Sequence, residues 1–562
     1  MLSRPLLIGL LTLTVLRWVV AGASEVTPDE ALVWLGGRQA SLGFFDYGPL
    51  TSWLIRLGTW VAGDTSWGVR WFAPLLMLGA SVAGWRLASS AFGDKVAGWF
   101  LAAWQVMPLL NVGAVRAWPE TVAFFCCLMA AWWTWQALHR ASIWAWQWPA
   151  AGAAIGLAVL AAPTGFGFLA GWFILLSVPR RWRSQWQRPG PWLALGAALL
   201  ASSPWIGWLH HHQWVPWTST WFQWSQSLSP LALLPWLGLT LLAASPFAWA
   251  GMVWAAAAGL RAAAQSWQRH RQGGLRRDDP FDQKNGRVFL LCLATPGLLC
   301  ALILAALGQP AIGQAAFAGT AALMLLAARW VESPLAPNAH RLAQNATLLV
   351  AAAYSLLALH SDIARHLGLP WRYPLDPTTS SLGWRETAAQ TAAAWRTLTP
   401  AVTSIPATTV TSAATPPAPG NTPGNTPGNT PGNPPAAGAT ATPPSRVFLI
   451  ADSPTLAATL AFHLPADLPL PVATTTTLRC HLTARLAIDS DFAWWAGYAQ
   501  EPTWTGYDAL FVSEVDSPPA LTLLSQQFRH LERLGQVEIR RGGWPVRTLS
   551  FFACRSWRGP AG

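Results

Sequence analysis

Between Leu6 and Leu359 the chain returns repeatedly to apolar runs of roughly 20 residues, the length of helix needed to cross a bilayer core of about 30 Å. A backbone in hydrocarbon finds no water to bond with, so such runs must fold as helices that satisfy their own amides. The runs fall at about residues 6–20, 68–86, 95–112, 118–137, 149–162, 163–178, 191–209, 229–260, 288–307, 312–331 and 343–360, with the break at Pro163 the least distinct. Only 11% of the residues are charged, less than half of the roughly 25% that a soluble protein carries. A water-soluble globule is therefore excluded for most of the length. The reading is a polytopic α-helical membrane protein of about eleven spans.

The net charge of +12 could suggest a nucleic-acid partner, yet Lys95 and Lys284 are the only lysines and the arginines sit in short loops between apolar runs. That distribution speaks of membrane topology and not of nucleic acid. Arg4, then Arg86 and Lys95, Arg140, Arg180 to Arg188, Arg261 to Arg287, and Arg329 with Arg341 occupy alternate loops, which the positive-inside rule assigns to the cytoplasm. The intervening loops hold little beyond Arg38, Arg56, Arg70 and Arg116. With the N-terminus inside and an odd number of spans, the chain beyond about residue 361 is expected outside. Ala21-Gly22-Ala23 resembles a signal-peptide cleavage site, but the acidic segment just after it reads better as the first outer loop of a membrane protein.

The expected organisation is a membrane-embedded body over 1–360, with its first outer loop at about 24–66, followed by a juxtamembrane segment over 361–397. Residues 398–444 are rich in Thr, Pro and Gly, with Gly-Asn-Thr-Pro three times in succession from Gly420, and cannot bury enough apolar surface to fold. From 445 to 562 the pattern changes to short buried strands at 447–450 and 509–512 and a helix over 455–462, which predicts a small α/β extracytoplasmic domain. Cys126, Cys127, Cys292 and Cys300 lie in spans and read as small buried hydrophobes, whereas Cys480 and Cys554 lie in the exported part, where an oxidising compartment permits a disulfide. Trp205, Trp208, Trp214, Trp217, Trp221 and Trp224 read as an interfacial belt.

Carboxylates near a membrane are costly, which makes the few on the outer side worth weighing. Thr27-Pro28-Asp29-Glu30 has the form of a capping box, with Thr27 as cap, Pro28 at the first helical position and Glu30 closing the box. Glu30 thus has a sufficient structural role, and Asp29, free of it, is the first choice for a general base. Asp46 precedes a Gly-Pro pair and can hold a turn as well as serve a site. In Arg116-Ala117-Trp118-Pro119-Glu120, helix initiation accounts for Pro119 and Glu120. The sharper alternative is a second carboxylate facing Asp29, with Arg116 offered to a phosphate. His210-His211-His212 cannot all face one metal from a helix, and no further ligand lies at suitable spacing.

The order of these parts resembles the bacterial dolichyl-phosphate-mannose-protein mannosyltransferase group, glycosyltransferase family 39, and its relative the lipid A aminoarabinose transferase. The resemblance rests on TPDEALVWL at 27–35, GFFDYGPLTSWLI at 43–55, the proline-acid start of the fourth span, LGWRE at 382–386, FLIAD at 448–452, YDALFVSE at 507–514 and RRGGWPVRT at 540–548. It implies the GT-C architecture, a place in the bacterial inner (plasma) membrane, and transfer of a sugar from a polyprenyl-phosphate donor to a lipid, glycan or protein acceptor on the outer face. By the same resemblance Asp29 and Glu30 match the acidic pair of the first loop and are the catalytic candidates. Asp46, Tyr47 and Glu120 fall at substrate-binding positions, and Arg56 and Arg116 are the outer-side cations available to a lipid phosphate.

Three departures stand out. Family members place a histidine or lysine and then proline where this chain has Tyr47-Gly48, and aspartate where it has Glu120. The lysine between the fifth and sixth spans is replaced by Ala162-Pro163. Three functions follow in order of weight: a transferase, a catalytically degenerate relative that binds a lipid or partner, and a flippase or transporter. The last would call for polar or broken helices near the midplane in repeated halves, and no repeat of spans is evident. No nucleotide or other cofactor is called for. The acids can act as base or as ligands, so a divalent metal stays open.

Overall fold

The computed structural model describes residues 3–559 except 40, 141–144, 218–228, 272–282, 310–311, 333–336, 362, 364–366, 369–375, 377, 399–446, 466–470, 475–504 and 542. The helices are α1 (Arg4–Ala23), α2 (Pro28–Arg38), α3 (Leu50–Ala62), α4 (Ser66–Arg70), α5 (Ala73–Phe92), α6 (Asp94–Val106), α7 (Pro108–Val115), α8 (Pro119–Leu138), α9 (Gln147–Ala161), α10 (Thr164–Ser177), α11 (Pro189–His211), α12 (Leu233–Ala244), α13 (Pro246–Arg271), α14 (Gln283–Ala306), α15 (Ile312–Glu332), α16 (Pro337–Leu359) and α17 (Trp384–Leu398). Among the described residues, seven helical segments are long and apolar enough to cross a membrane, or nine if each of two bent pairs counts as one span. The shorter apolar helices α9 and α10 stand beside them. This is a multi-pass membrane protein.

All eleven expected segments are helical, but two are not straight. The run at 95–112 breaks at Met107, where α6 and α7 meet at 66°, and the run at 229–260 breaks at Ser245, where α12 and α13 meet at 105°. Both breaks precede a proline, which pushes its predecessor out of the helical region and removes an amide donor. Side chains take up the carbonyls freed at the first break. Asn111 Nδ2 donates to Gln105 O at 2.8 Å, Ser355 Oγ donates to Val106 O at 2.6 Å, and the buried Arg17 donates to Asn111 Oδ1 at 2.7 Å. Small residues bring spans close elsewhere: a Cβ at Gly152 or Gly156 would fall 1.9 or 2.3 Å from a carbonyl of α11, so the Gly-x-x-x-Gly face of α9 lets the two backbones touch.

The expected tryptophan belt is only partly present. Trp205 is fully buried against Val159, Leu160 and Leu209, and together with Trp208 it closes over Gly43. Trp214 and Trp217 are exposed at the end of α11, and Trp221 and Trp224 lie outside the described residues.

Helix α3, expected only as a short apolar segment, is strongly amphipathic. It buries Ser52, Ile55 and Gly58 and exposes Trp53, Leu57 and Trp60, the pattern of a helix lying in the bilayer interface.

The C-terminal sheet has the order β2-β1-β3-β5-β4, with β1 (Val447–Ala451), β2 (Pro471–Thr474), β3 (Asp508–Ser513), β4 (Phe528–Arg541) and β5 (Trp544–Trp557). β1 lies parallel to β2 and β3, and the long β4–β5 hairpin completes the sheet antiparallel. Helix α18 (Pro454–His463) and α17 cover one face, and α19 (Pro518–Gln527) covers the other. The α17 face shares one apolar core with α2, so the sheet is seated on the loop that carries Asp29. Cys554 is buried in β5, and its expected disulfide partner Cys480 lies outside the described residues.

Candidate active site

The first turn of α2 organises the site. Thr27 Oγ1 accepts the Glu30 amide, and Glu30 Oε2 accepts the Thr27 amide at 3.0 Å, so the capping box read from the sequence is formed. Glu30 does much more than cap. Its carboxylate is fully buried and takes Arg70 in a bidentate pair, Nε to Oε1 at 2.6 Å and Nη2 to Oε2 at 2.5 Å, and it also accepts the Ala117 amide at 2.9 Å. Burial alone would raise its pKa, but the Arg70 charge and these hydrogen bonds outweigh it and hold the group at about 2. Arg70 spends its remaining donors on Ala21 O, Ser24 and Glu25 O. The pair ties α1, α2, α4 and the start of α8 into one block. Glu30 is thereby closed off from solvent, its oxygens engaged by these partners.

Asp29 points the other way. It opens into a cavity of about 440 Å³ lined also by Asp46, Tyr47, Trp118 and Glu120, with α7 and the start of α15 as apolar walls. Among the described residues its carboxylate takes no hydrogen bond from protein. The surrounding protein raises its pKa by desolvation and the Glu30 charge raises it further, while Arg116 pulls it down. Such a carboxylate is a stronger proton acceptor than a free aspartate.

Of the other expected residues, Glu120 reaches this cavity from the first turn of α8 and packs on Gly313, where an added Cβ would fall 2.4 Å from Glu120 Cγ. Tyr47 is buried in the cavity wall and donates to Leu32 O at 3.3 Å. Arg116 stands near Asp29 and Glu30, donates to Ser381 Oγ at 3.0 Å and lies 5.6 Å from the Trp118 ring. Arg56 is not brought to the cavity: it sits across α2, donating to Gly37 O at 3.4 Å. Two residues escaped the sequence reading. Arg70 appeared only as one of four positive charges on the sparsely charged side, a faint signal that something held it there. Trp118 lines the cavity with a buried indole N–H that has no partner among the described residues. The histidines 210–212 end α11, with His212 stacked on Trp208 at 4.0 Å. Among the described residues no three His, Cys, Asp or Glu side chains gather as a metal site.

The two places where basic residues were expected are neighbours. Gly48 N donates to Ala161 O at 3.2 Å, and a Cβ on Gly48 would fall 1.9 Å from Leu160 O. Only glycine fits at 48, and the adjoining Ala162 is fully buried. The tail motifs also meet one another. Trp384 donates its amide to Glu25 at 2.8 Å and lies 3.4 Å under the Arg547 guanidinium, Arg547 pairs with Glu514, and the Glu514 amide donates to Asp452 at 2.6 Å. The segment around Ser381 and Trp384 therefore fastens the C-terminal sheet to Arg116 and to the entry of α2.

Fold and cavity together define a GT-C membrane protein. Over their full lengths the chain and ArnT from Cupriavidus metallidurans, solved bound to undecaprenyl phosphate, superpose with a TM-score of 0.56 at 15% identity. The apo form of ArnT gives the same score over 97% of both chains at 14% identity. Residues 46–208, less than a third of the chain, match the family model described as dolichyl-phosphate-mannose-protein mannosyltransferase. It is 24% identical over 159 residues to the lipid A galacturonosyltransferase RgtD of Rhizobium johnstonii, a match that spans 28% of this chain and 31% of that relative.

Proposed function

We propose that the protein transfers a sugar from a polyprenyl-phosphate donor to a lipid, glycan or protein acceptor on the outer face of a bacterial inner membrane. In this reading the N-terminus is cytoplasmic, residues 1–360 form the transferase body, and residues 445–562 form an extracytoplasmic cover. The observation that carries it is Asp29: a carboxylate of raised basicity, without hydrogen bonds from protein among the described residues, facing a cavity at the end of the spans beside an arginine. ArnT, solved with undecaprenyl phosphate, supports the donor class, and RgtD, a lipid A galacturonosyltransferase, supports a lipid among the acceptors.

The chemistry is an inverting displacement. Asp29 accepts the proton of an acceptor hydroxyl or amine as that atom attacks the anomeric carbon, and the bond to the lipid phosphate breaks with the electron pair leaving on phosphate. Arg116 stabilises the departing phosphate. Asp46, Tyr47 and Glu120 shape the sugar-binding wall. Among the described residues the cavity acids are not gathered as a metal-ligand set.

A degenerate, lipid-binding relative is the second reading, favoured by Tyr47 and Ala162 standing where the family carries basic residues, Tyr47 buried in the cavity wall and Ala162 fully buried. Purified protein in lipid, given a panel of radiolabelled polyprenyl-phosphate sugars and membrane extract as acceptor, separates the two. Consumption of one donor, reduced by about 10²–10⁴-fold in Asp29→Asn while donor binding persists, is the result expected of a transferase. Donor binding without turnover establishes the degenerate relative, and neither binding nor turnover overturns both.

A further inference from the structure

Two adjoining depressions form a groove on the side of the first outer loop turned away from the Asp29 cavity, one of them lined by α2. One half, about 350 Å³, lies beside Arg38 and Arg56, and the other, about 620 Å³, lies between α4 and the C-terminal sheet beside Arg385 and His463. Asp64 lines both, so the two adjoin at that residue, and neither shares a lining residue with the Asp29 cavity. Helix α2 is the wall between them, with Leu32 and Val33 on the cavity side and Trp34 and Arg38 on the groove side. A molecule in the groove cannot reach the proposed base.

The depth of the groove is set by its floor. Trp67 lies across Gly22, in the last turn of span α1, where an added Cβ would fall 1.2 Å from the indole nitrogen. The floor is therefore level with the end of a span, at headgroup height, and exposed Trp60 on amphipathic α3 flanks it. Below Gly22 the outer stripe of α1, with Leu11, Val15 and Val19, is open to lipid.

The groove also carries uncompensated positive charge. Its one acid, Asp64, is already spent, paired with Arg38 and accepting the Trp34 indole N–H at 2.8 Å. Arg56 donates only to a backbone carbonyl, and the exposed Arg385 makes no ion pair, so among the described residues both guanidiniums lack a carboxylate. A phosphodiester supplies the missing charge at the right height, with acyl chains able to run down α1.

We propose that this groove is a non-catalytic binding site for the phosphate of an anionic membrane lipid, with Arg56 and Arg385 as its cations, and that the bound headgroup bridges α3 to the C-terminal sheet. The site is independent of the proposed transfer reaction, and its test reads lipid retention and not turnover. The full-length protein in detergent is given phosphatidylglycerol and phosphatidylcholine in equal amounts, and the lipids retained are counted by native mass spectrometry. Wild type is expected to retain phosphatidylglycerol several-fold over phosphatidylcholine. The double variant Arg56→Ala/Arg385→Ala should lose that preference with an unchanged melting temperature, and Arg558→Ala, which removes an exposed arginine outside the groove, should keep it. Equal retention of the two lipids by wild type, an undiminished preference in the double variant, or an equal loss in Arg558→Ala would each overturn the proposal.

Discussion

The two faces of α2 put consecutive carboxylates into opposite surroundings. Glu30 is enclosed by Arg70, Thr27 and the Ala117 amide, and its pKa is driven down to about 2; Asp29, one residue earlier, faces a cavity without a hydrogen bond from protein among the described residues, and its pKa is driven up. Both feel burial. What separates them is whether a partner compensates it, and the difference teaches that neighbouring acids in sequence can meet opposite surroundings in the fold, one engaged by its partners and the other facing a cavity. The Glu30 charge even adds to the basicity of Asp29.

Breaking the enclosed side should give the largest loss of stability. Glu30→Gln leaves the buried Arg70 guanidinium uncompensated and is expected to cost about 3–5 kcal/mol, read as a collapse of the melting temperature in detergent. Acid should act through the same group. Because its folded pKa of about 2 lies below the ordinary 4.5, its stabilisation is complete above about pH 4.5 and is lost as pH falls from there towards 2. A melting temperature that does not decline over that window would break the contrast.

On the cavity side, Arg116→Ala should raise the KM for donor about tenfold, the scale of one charge-assisted hydrogen bond to phosphate. It removes the one neighbour that pulls the Asp29 pKa down, so the acid limb of the rate profile should move to higher pH. Thr27→Ala, which removes the cap and leaves both acids in place, should cost about 1 kcal/mol of stability and little turnover.

Much of this contrast was legible in sequence. Thr27, Pro28 and Glu30 announce a capping box by type and spacing, and a residue freed from the box at the same turn is a natural base. The apolar runs coincide with helices for an equally local reason. The bends at Met107 and Ser245 were missed although Pro108 and Pro246 stand in view, because hydropathy averages over a proline while the backbone does not. Arg70 was not legible as Glu30's partner, since forty positions of chain and the whole of α3 separate them. For the same reason the sequence placed Arg56 among the site cations, when the turn of α3 sends it to the far side of α2. The neighbouring positions of Gly48 and Ala162 are likewise a product of packing between distant segments.

The most direct test is to prepare Asp29→Asn beside wild type in one lipid and measure melting and donor consumption on the same samples. Neutralising an unsatisfied carboxylate should leave the melting temperature equal or higher while donor consumption falls by about 10²–10⁴-fold. A variant that melts well below wild type, or that consumes donor at the wild-type rate, would contradict the assignment of Asp29 as the reactive acid and Glu30 as its scaffold.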